Sequence, residues 1–257
     1  MNPIVVNVIV GIAAAIIGYL FGGIPTGVII GKLFFHIDPR DEGSHNSGGT
    51  NVARTISKKV GIIVIICDML KTLAAVLVVW AILRFTPLWD YMIIWEVQVG
   101  YATIGGARVW YWLCGLAAAV GHCWPIYLKF KGGKAVSCYM GLNTLTSWIQ
   151  FLLSGFTYLF AAKKSHYISL ASMITSIVGT VVAWTIFILQ VTVKFNWDIL
   201  LWSFGFGAAE NLFIKYGLEY AIANTIIAIL LILRHSANIQ RLKNNTESRN
   251  PFEKDSK

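Results

Sequence analysis

Apolar residues in this chain come in long runs separated by short polar islands, and the lengths of the runs predict helices that cross a membrane. Runs of about 18 or more mostly apolar residues are long enough for a hydrocarbon core of roughly 30 Å. Such runs cover residues 4–21, 60–83, 97–120, 135–161, 168–193 and 217–233, and a weaker one over 199–212 is interrupted by Glu210. The pattern predicts an all-α integral membrane protein, a polytopic helical bundle of about seven transmembrane helices. It forms a single membrane domain over 1–243, followed by a polar, disordered cytoplasmic tail over 244–257. After the first run, Gly22-Gly23-Ile24-Pro25-Thr26-Gly27 breaks the helix, because Pro and Gly both disfavour a helix interior. The apolar piece that follows, 28–35, is too short to span and fits an interfacial or re-entrant segment.

Composition agrees with lipid as the main solvent. Of 257 residues 56% are apolar and only 13% charged, and the mean hydropathy is +0.66; soluble domains carry about 25% charge. The net charge of +9 does not point to nucleic acid, since the basic residues sit in short loops between apolar runs. With seven spans and the N-terminus outside, Arg40, Arg54, Lys58 and Lys59, then Lys129, Lys131 and Lys134, and finally the basic tail all fall inside. Lys163 and Lys164 fall on the wrong side. The first run has no positive n-region or clear cleavage site, so it is read as a retained span. The cysteines at 67, 114, 123 and 138 have neither disulfide nor zinc spacing and read as small hydrophobes. No metal and no cofactor is expected.

The predicted topology puts three polar islands on one face. The first runs from Gly43-Ser44-His45-Asn46-Ser47-Gly48-Gly49-Thr50-Asn51 to Arg54. Glycines allow a turn whose backbone N–H groups gather round an anion, Ser44, Asn46, Thr50 and Asn51 add short polar groups, and Arg54 adds a fork suited to phosphate. The second is Gly121-His122 and then Phe130-Lys131-Gly132-Gly133-Lys134, where a Gly-Gly pair between two lysines reads as a phosphate cradle. It is not a nucleotide-binding P-loop, since position 128 is Leu and position 135 is Ala. The third closes the last span, with His235, Asn238 and Arg241 following one another at three-residue steps along one helical stripe.

Two further features need placing. Asp68 and Lys71 lie inside the second span at i, i+3, where they face the same side and fit either a neutralising pair or a support for the site. His36 and Asp41 satisfy H-x-x-x-x-D, a signature of a different class of glycerolipid acyltransferase, but the rest of that pattern is absent.

Over nearly its whole length the chain resembles the bacterial acyl-phosphate:glycerol-3-phosphate acyltransferase family, the PlsY type. The family's G-S-x-N-x-G-x-T-N-x-x-R matches Gly43, Ser44, Asn46, Gly48, Thr50, Asn51 and Arg54; its G-H and F-K-G-G-K match Gly121-His122 and 130–134; its H-x-x-N-I-x-R-L matches His235, Asn238-Ile239 and Arg241-Leu242. Departures are Gly23 before Ile24-Pro25, Ala135 after the lysine, Ser137, Thr72, Ser236 and Asn245, all beside the core positions. The resemblance implies transfer of a fatty acyl group from acyl phosphate to the 1-hydroxyl of glycerol 3-phosphate, giving lysophosphatidic acid and phosphate. It implies a bacterial inner-membrane location with the site facing the cytoplasm, and the soluble enzyme that makes acyl phosphate as a partner. Ser44, Asn46, Arg54, His235 and Asn238 are then expected to be catalytic. Gly48, Thr50, Asn51, His122, Lys131, Gly132, Gly133, Lys134 and Arg241 are expected to bind substrate. His122, His235 and the donor phosphate all remain open as proton acceptor. The alternative is a transporter for an anionic solute, which Asp68, Lys71 and the broken first helix would suit.

Overall fold

The computed structural model describes residues 2–92, 97–106, 108–194 and 217–253. The first apolar run forms α1 (Pro3–Gly23), and after a break at Ile24-Pro25 the chain continues as α2 (Thr26–Phe35). A short α3 (Gly49–Thr55) precedes α4 (Lys58–Arg84), whose N-terminus is capped by the Ser57 hydroxyl accepting from the Val60 N–H at 3.2 Å. The single turn α5 (Trp89–Met92) leads to a hairpin, β1 (Val97–Val99) and β2 (Ala102–Ile104). Then come α6 (Arg108–Cys123), α7 (Val136–Thr146), α8 (Trp148–Ser165), α9 (Ile168–Thr192), α10 (Leu218–Arg234) and α11 (Ser236–Lys243).

The helices are inside-out amphipathic. On α4, Asp68, Lys71 and Thr72 are buried while Ile62, Ile63, Ile66 and Leu70 face outward. On α1, Val6, Val10 and Ala14 are buried while Ile9, Ile12 and Ile16 are exposed. Only lipid rewards that arrangement. Three described stretches, Pro3–Phe35, Lys58–Arg84 and Ile168–Thr192, are long and apolar enough to cross a membrane, or four counting α10 with α11, which bend by 53°. Small residues let the helices touch. A Cβ at Gly18 would lie 2.1 Å from the Cys114 carbonyl oxygen, and one at Gly22 would lie 2.0 Å from that of Ala118, so α1 and α6 pack backbone to backbone.

Two predicted spans are corrected. The run 97–120 is not one helix: its first part is the hairpin, with Val97 opposite Ile104 and Val99 opposite Ala102. β-branched residues favour the strand, and Gly100 at φ +59 makes the two-residue turn. The run 135–161 is split at Ser147, whose extended backbone ends α7 and whose hydroxyl accepts from the Gln150 N–H at 3.3 Å to start α8. Around the break the Thr144 hydroxyl donates to the Gly141 carbonyl at 2.6 Å and the Ser147 hydroxyl caps α8, giving the backbone other partners than the helix ladder.

The split reverses the chain. Val136 at the start of α7, Tyr158 on α8 and Ile168 at the start of α9 all border the same cavity, so Lys163 and Lys164 lie at the same end of the bundle as the basic loops. The predicted run 199–212 lies outside the described residues. The tail expected to be disordered is held as far as Glu253. The Asn250 N–H donates to the His166 carbonyl at 2.8 Å, Lys58 Nζ donates to the Glu253 carbonyl at 2.6 Å, and Phe252 packs on Ala161, Ala162, Ile168 and Ala171.

Candidate active site

At that end of the bundle the three islands surround a cavity of about 220 Å³. Ser44, Asn46, Gly48, Thr50, Asn51, Arg54, His122, Lys134, His235 and Asn238 line it, and Ile65, Met69, Val136 and Met140 supply an apolar wall.

The first island is tied down by Asn51. Its Oδ1 accepts from the Ser44 N–H at 2.7 Å and the Ser44 hydroxyl at 3.1 Å, while its amide donates to the carbonyls of Pro39, Glu42 and Asn46. Asn51 therefore spends its polar groups on the loop and fixes Ser44 rather than offering a donor to the cavity. Asn46 joins two islands, donating to the Gly132 carbonyl at 3.2 Å and accepting from the Gly48 N–H at 2.9 Å.

The Gly-Gly pair does a different job from the one expected. The Gly132 N–H donates to the Cys123 carbonyl at 3.2 Å and the Gly133 N–H to that of His122 at 2.8 Å, so both close the C-terminus of α6 and neither cradles an anion. Glycine is needed there because a Cβ on Gly133 would lie 1.9 Å from His122 Nε2. Arg234 holds the same turn from the other side, donating to the Gly132 and Gly133 carbonyls at 3.2 Å and stacking its guanidinium 5.3 Å from the Trp124 ring centre. Lys131 points into solvent and is not part of the cavity wall.

Lys134 is what the turn presents. Its Nζ donates to Asn238 Oδ1 at 2.7 Å, and Asn238 donates to Glu247 Oε1 at 2.6 Å. Glu247 also accepts from Ser169 at 2.8 Å and from Arg241 Nε at 2.7 Å. Arg241 thus braces Glu247 instead of lining the cavity. Burial pushes the Lys134 ammonium down to about 8, with Arg241, Arg54 and Arg234 adding repulsion that Glu247 partly offsets. Burial likewise lowers Arg54, against the attraction of Glu247. Burial pushes the Glu247 carboxyl up, but the bonds from Asn238, Ser169 and Arg241 outweigh it and hold the group below its usual range.

His235 is buried, and its Nδ1 lies 2.7 Å from the Leu231 carbonyl. That contact assigns the proton to Nδ1 and leaves Nε2 as an acceptor, with no partner among the described residues. His122 is engaged differently: Lys71 Nζ sits 3.1 Å from its Nδ1. The H-x-x-x-x-D pair assembles nothing, since His36 is exposed and ends α2 in a left-handed conformation at φ 55, and Asp41 is exposed.

Sequence reasoning missed Glu247, Ser169 and Ser172 as site residues. The two serines lie at i, i+3 on an apolar helix, a polar stripe that could have marked the face turned inward. Glu247 follows the third island in sequence but stood in a stretch that looked like a tail, and was not counted among the site residues.

The sequence model of the family described as glycerol-3-phosphate acyltransferase matches residues 12–245. The chain is 32% identical to glycerol-3-phosphate acyltransferase 2 of Bacillus cereus, over 94% of this chain and 96% of that one. It is 34% identical to glycerol-3-phosphate acyltransferase of Macrococcus caseolyticus, over 93% and 96%. Crystal structures of PlsY, an integral membrane glycerol 3-phosphate acyltransferase, in its glycerol 3-phosphate and lysophosphatidic acid forms, superpose with a TM-score of 0.67 at 25% identity, covering 93% of this chain and 94% of that one. With the three ordered motifs converging on one cavity and these likenesses spanning nearly the whole length, the chain belongs to the glycerol-3-phosphate acyltransferase family.

Proposed function

We propose that this chain, a membrane acyltransferase acting on glycerol 3-phosphate, draws its acyl group from acyl phosphate at the cytoplasmic face of a bacterial cell membrane. The observation that carries the reading is the single cavity bordered by Ser44, Arg54, Lys134, His235 and Asn238 on one side and by apolar side chains on the other. One wall suits two anionic head groups; the other suits the first methylenes of a fatty chain. Seven passes with the N-terminus outside, α7 and α8 being counted separately, put all the basic loops and Lys163–Lys164 inside.

Lys134 takes the phosphate of glycerol 3-phosphate. Ser44, Thr50 and Arg54 take the phosphate of the donor, and Asn51 positions Ser44. His235 Nε2 accepts a hydrogen bond from the 1-hydroxyl and points its oxygen at the acyl carbon. The new C–O bond forms there, the bond from that carbon to the phosphate oxygen breaks, and inorganic phosphate leaves with the electron pair. The hydroxyl proton ends on phosphate, so charge and atoms balance and the good leaving group does much of the work. Cations at the mouth stabilise the charge that develops.

The test is release of phosphate by purified protein given acyl phosphate and glycerol 3-phosphate, with acyl-CoA as the second donor. Release that needs both acyl phosphate and glycerol 3-phosphate supports the reading. Equal or faster product formation from acyl-CoA would overturn the choice of donor.

A further inference from the structure

The cavity is basic at its mouth, yet two carboxylates stand in its wall, and Glu247 is already engaged by Ser169, Asn238 and Arg241, which leaves Asp68. Asp68 is 2% exposed, borders the cavity, and among the described residues has one of its oxygens engaged. Its Oδ1 accepts from the Thr26 hydroxyl at 2.5 Å and from Lys71 Nζ at 2.7 Å, with His122 Nδ1 3.8 Å away. The ammonium of Lys71 is fully used: its three hydrogens meet Asp68, the Ile24 carbonyl at 2.7 Å and His122 Nδ1 at 3.1 Å. Among the described residues, the titratable and charged groups near Asp68 are Lys71 from its own helix, His122 from α6 and the buried thiol of Cys138 from α7. Thr26, from the start of α2, completes the surround. Asp68 Oδ2 has no hydrogen-bond or ion-pair partner among the described residues.

Asp68 borders both the substrate cavity and a small pocket lined by Thr26, Lys71 and His122, and a buried acceptor held this firmly asks for a donor that a substrate in the cavity can bring. Neither phosphate qualifies, since both would be repelled, and the acyl carbonyl and chain carry no donor. The hydroxyls of the acceptor are the only donors that the two substrates bring. One of them is the nucleophile, for which His235 Nε2 is already placed as acceptor.

Building on the function proposed above, we propose that Asp68 Oδ2 accepts a hydrogen bond from the carbon-2 hydroxyl of the acceptor, making Asp68 the residue that selects a polyol phosphate over a keto or deoxy analogue. The broken first helix then has a purpose. By ending α1 at Gly23, it takes the Ile24 carbonyl out of the helix ladder, where it accepts from the Thr26 N–H and anchors Lys71, and starts α2 with the Thr26 hydroxyl on Asp68. A carbonyl oxygen at carbon 2 would face the carboxylate as a second acceptor, and a methylene there would leave Oδ2 unpaired.

The experiment compares three acceptors with purified protein and acyl phosphate: glycerol 3-phosphate, 3-hydroxypropyl phosphate, which lacks the 2-hydroxyl, and dihydroxyacetone phosphate, which has a carbonyl there. Wild-type kcat/KM is expected to favour glycerol 3-phosphate by about 10⁴-fold over both, the discrimination typical of a site built to bond a hydroxyl. Asp68→Asn keeps an oxygen for Thr26 and Lys71 and turns an NH₂ toward the cavity. Its preference should shrink at least ~100-fold, most of all against dihydroxyacetone phosphate, with the KM for acyl phosphate unmoved. Should that variant fail to fold in detergent, Thr26→Val loosens Oδ1 without touching a charge and should cut the preference about tenfold. A wild-type enzyme that uses all three acceptors alike overturns the proposal. So does an Asp68→Asn or Thr26→Val enzyme whose acceptor ratios match wild type while every rate falls together, which is the signature of a purely structural role. Absence of phosphate release with glycerol 3-phosphate itself would instead count against the catalytic reading.

Discussion

Two polar regions lie within this apolar bundle, and they differ in what is left over. Between α7, α8, α9 and α10, Asn143 takes hydrogen bonds from the Tyr220 hydroxyl at 2.5 Å and from Asn224 at 3.1 Å, and donates to Ser154 at 3.2 Å. Asn224 Oδ1 accepts from Tyr139 and Thr180, and Gln150 donates to the Gly179 carbonyl at 2.9 Å. These side chains satisfy one another, as buried polar groups in lipid must. At the mouth, by contrast, Arg54, Lys134 and His235 Nε2 face a cavity, and the network behind them holds them in place without consuming them. Polarity that closes on itself repairs a broken helix; polarity left open marks the site.

That contrast predicts separable effects. Lys134→Ala should lower kcat/KM for glycerol 3-phosphate by about 10³-fold, since it removes the open cation and leaves Asn238 without its donor; steady-state phosphate release measures this. Gly133→Ala drives a methyl into His122 and displaces the turn that carries Lys134. A loss of about 10²-fold in kcat is expected while the protein still folds. A wild-type pH series sharpens the assignment of Lys134. Its ammonium loses its proton near 8 in the free enzyme, so the cation is present below that pH and is lost as pH rises through it. KM for glycerol 3-phosphate should be flat between roughly pH 7 and 7.5, where the phosphate is already mostly dianionic, and rise about tenfold by pH 9. Asn224→Leu, in the closed network, should cost about 1–2 kcal/mol of thermal stability in detergent and change KM by less than about twofold.

The pattern of runs foretold the helical membrane architecture, and the three islands foretold most of the cavity wall, because glycine, short polar residues and cations between apolar spans have few other uses. Two classes of feature escaped. The break at Ser147 was hidden because Leu, Trp and Ile flank it and the partners that make a polar break tolerable come from other helices. The hydrogen bonds that Gly132, Gly133, Asn51 and Arg241 make within the fold were hidden for a related reason: a sequence reveals which residues could donate, but not which donors the fold has already spent. Asp68 and Lys71 fitted two readings, and the structure shows them ion-paired at 2.7 Å with Asp68 also bordering the cavity; the transporter alternative lost its footing with the family assignment.

The most direct test of convergence is a double-mutant cycle between islands 104 residues apart. Lys134→Ala, Asn238→Ala and the double variant would be compared in kcat/KM for glycerol 3-phosphate. Joined by a 2.7 Å hydrogen bond at one cavity, the two residues should couple, the double variant losing less than the sum of the singles by at least about 1 kcal/mol. Additivity within roughly 0.3 kcal/mol would mean that the second and third islands do not act on the same substrate, and the shared site would not stand.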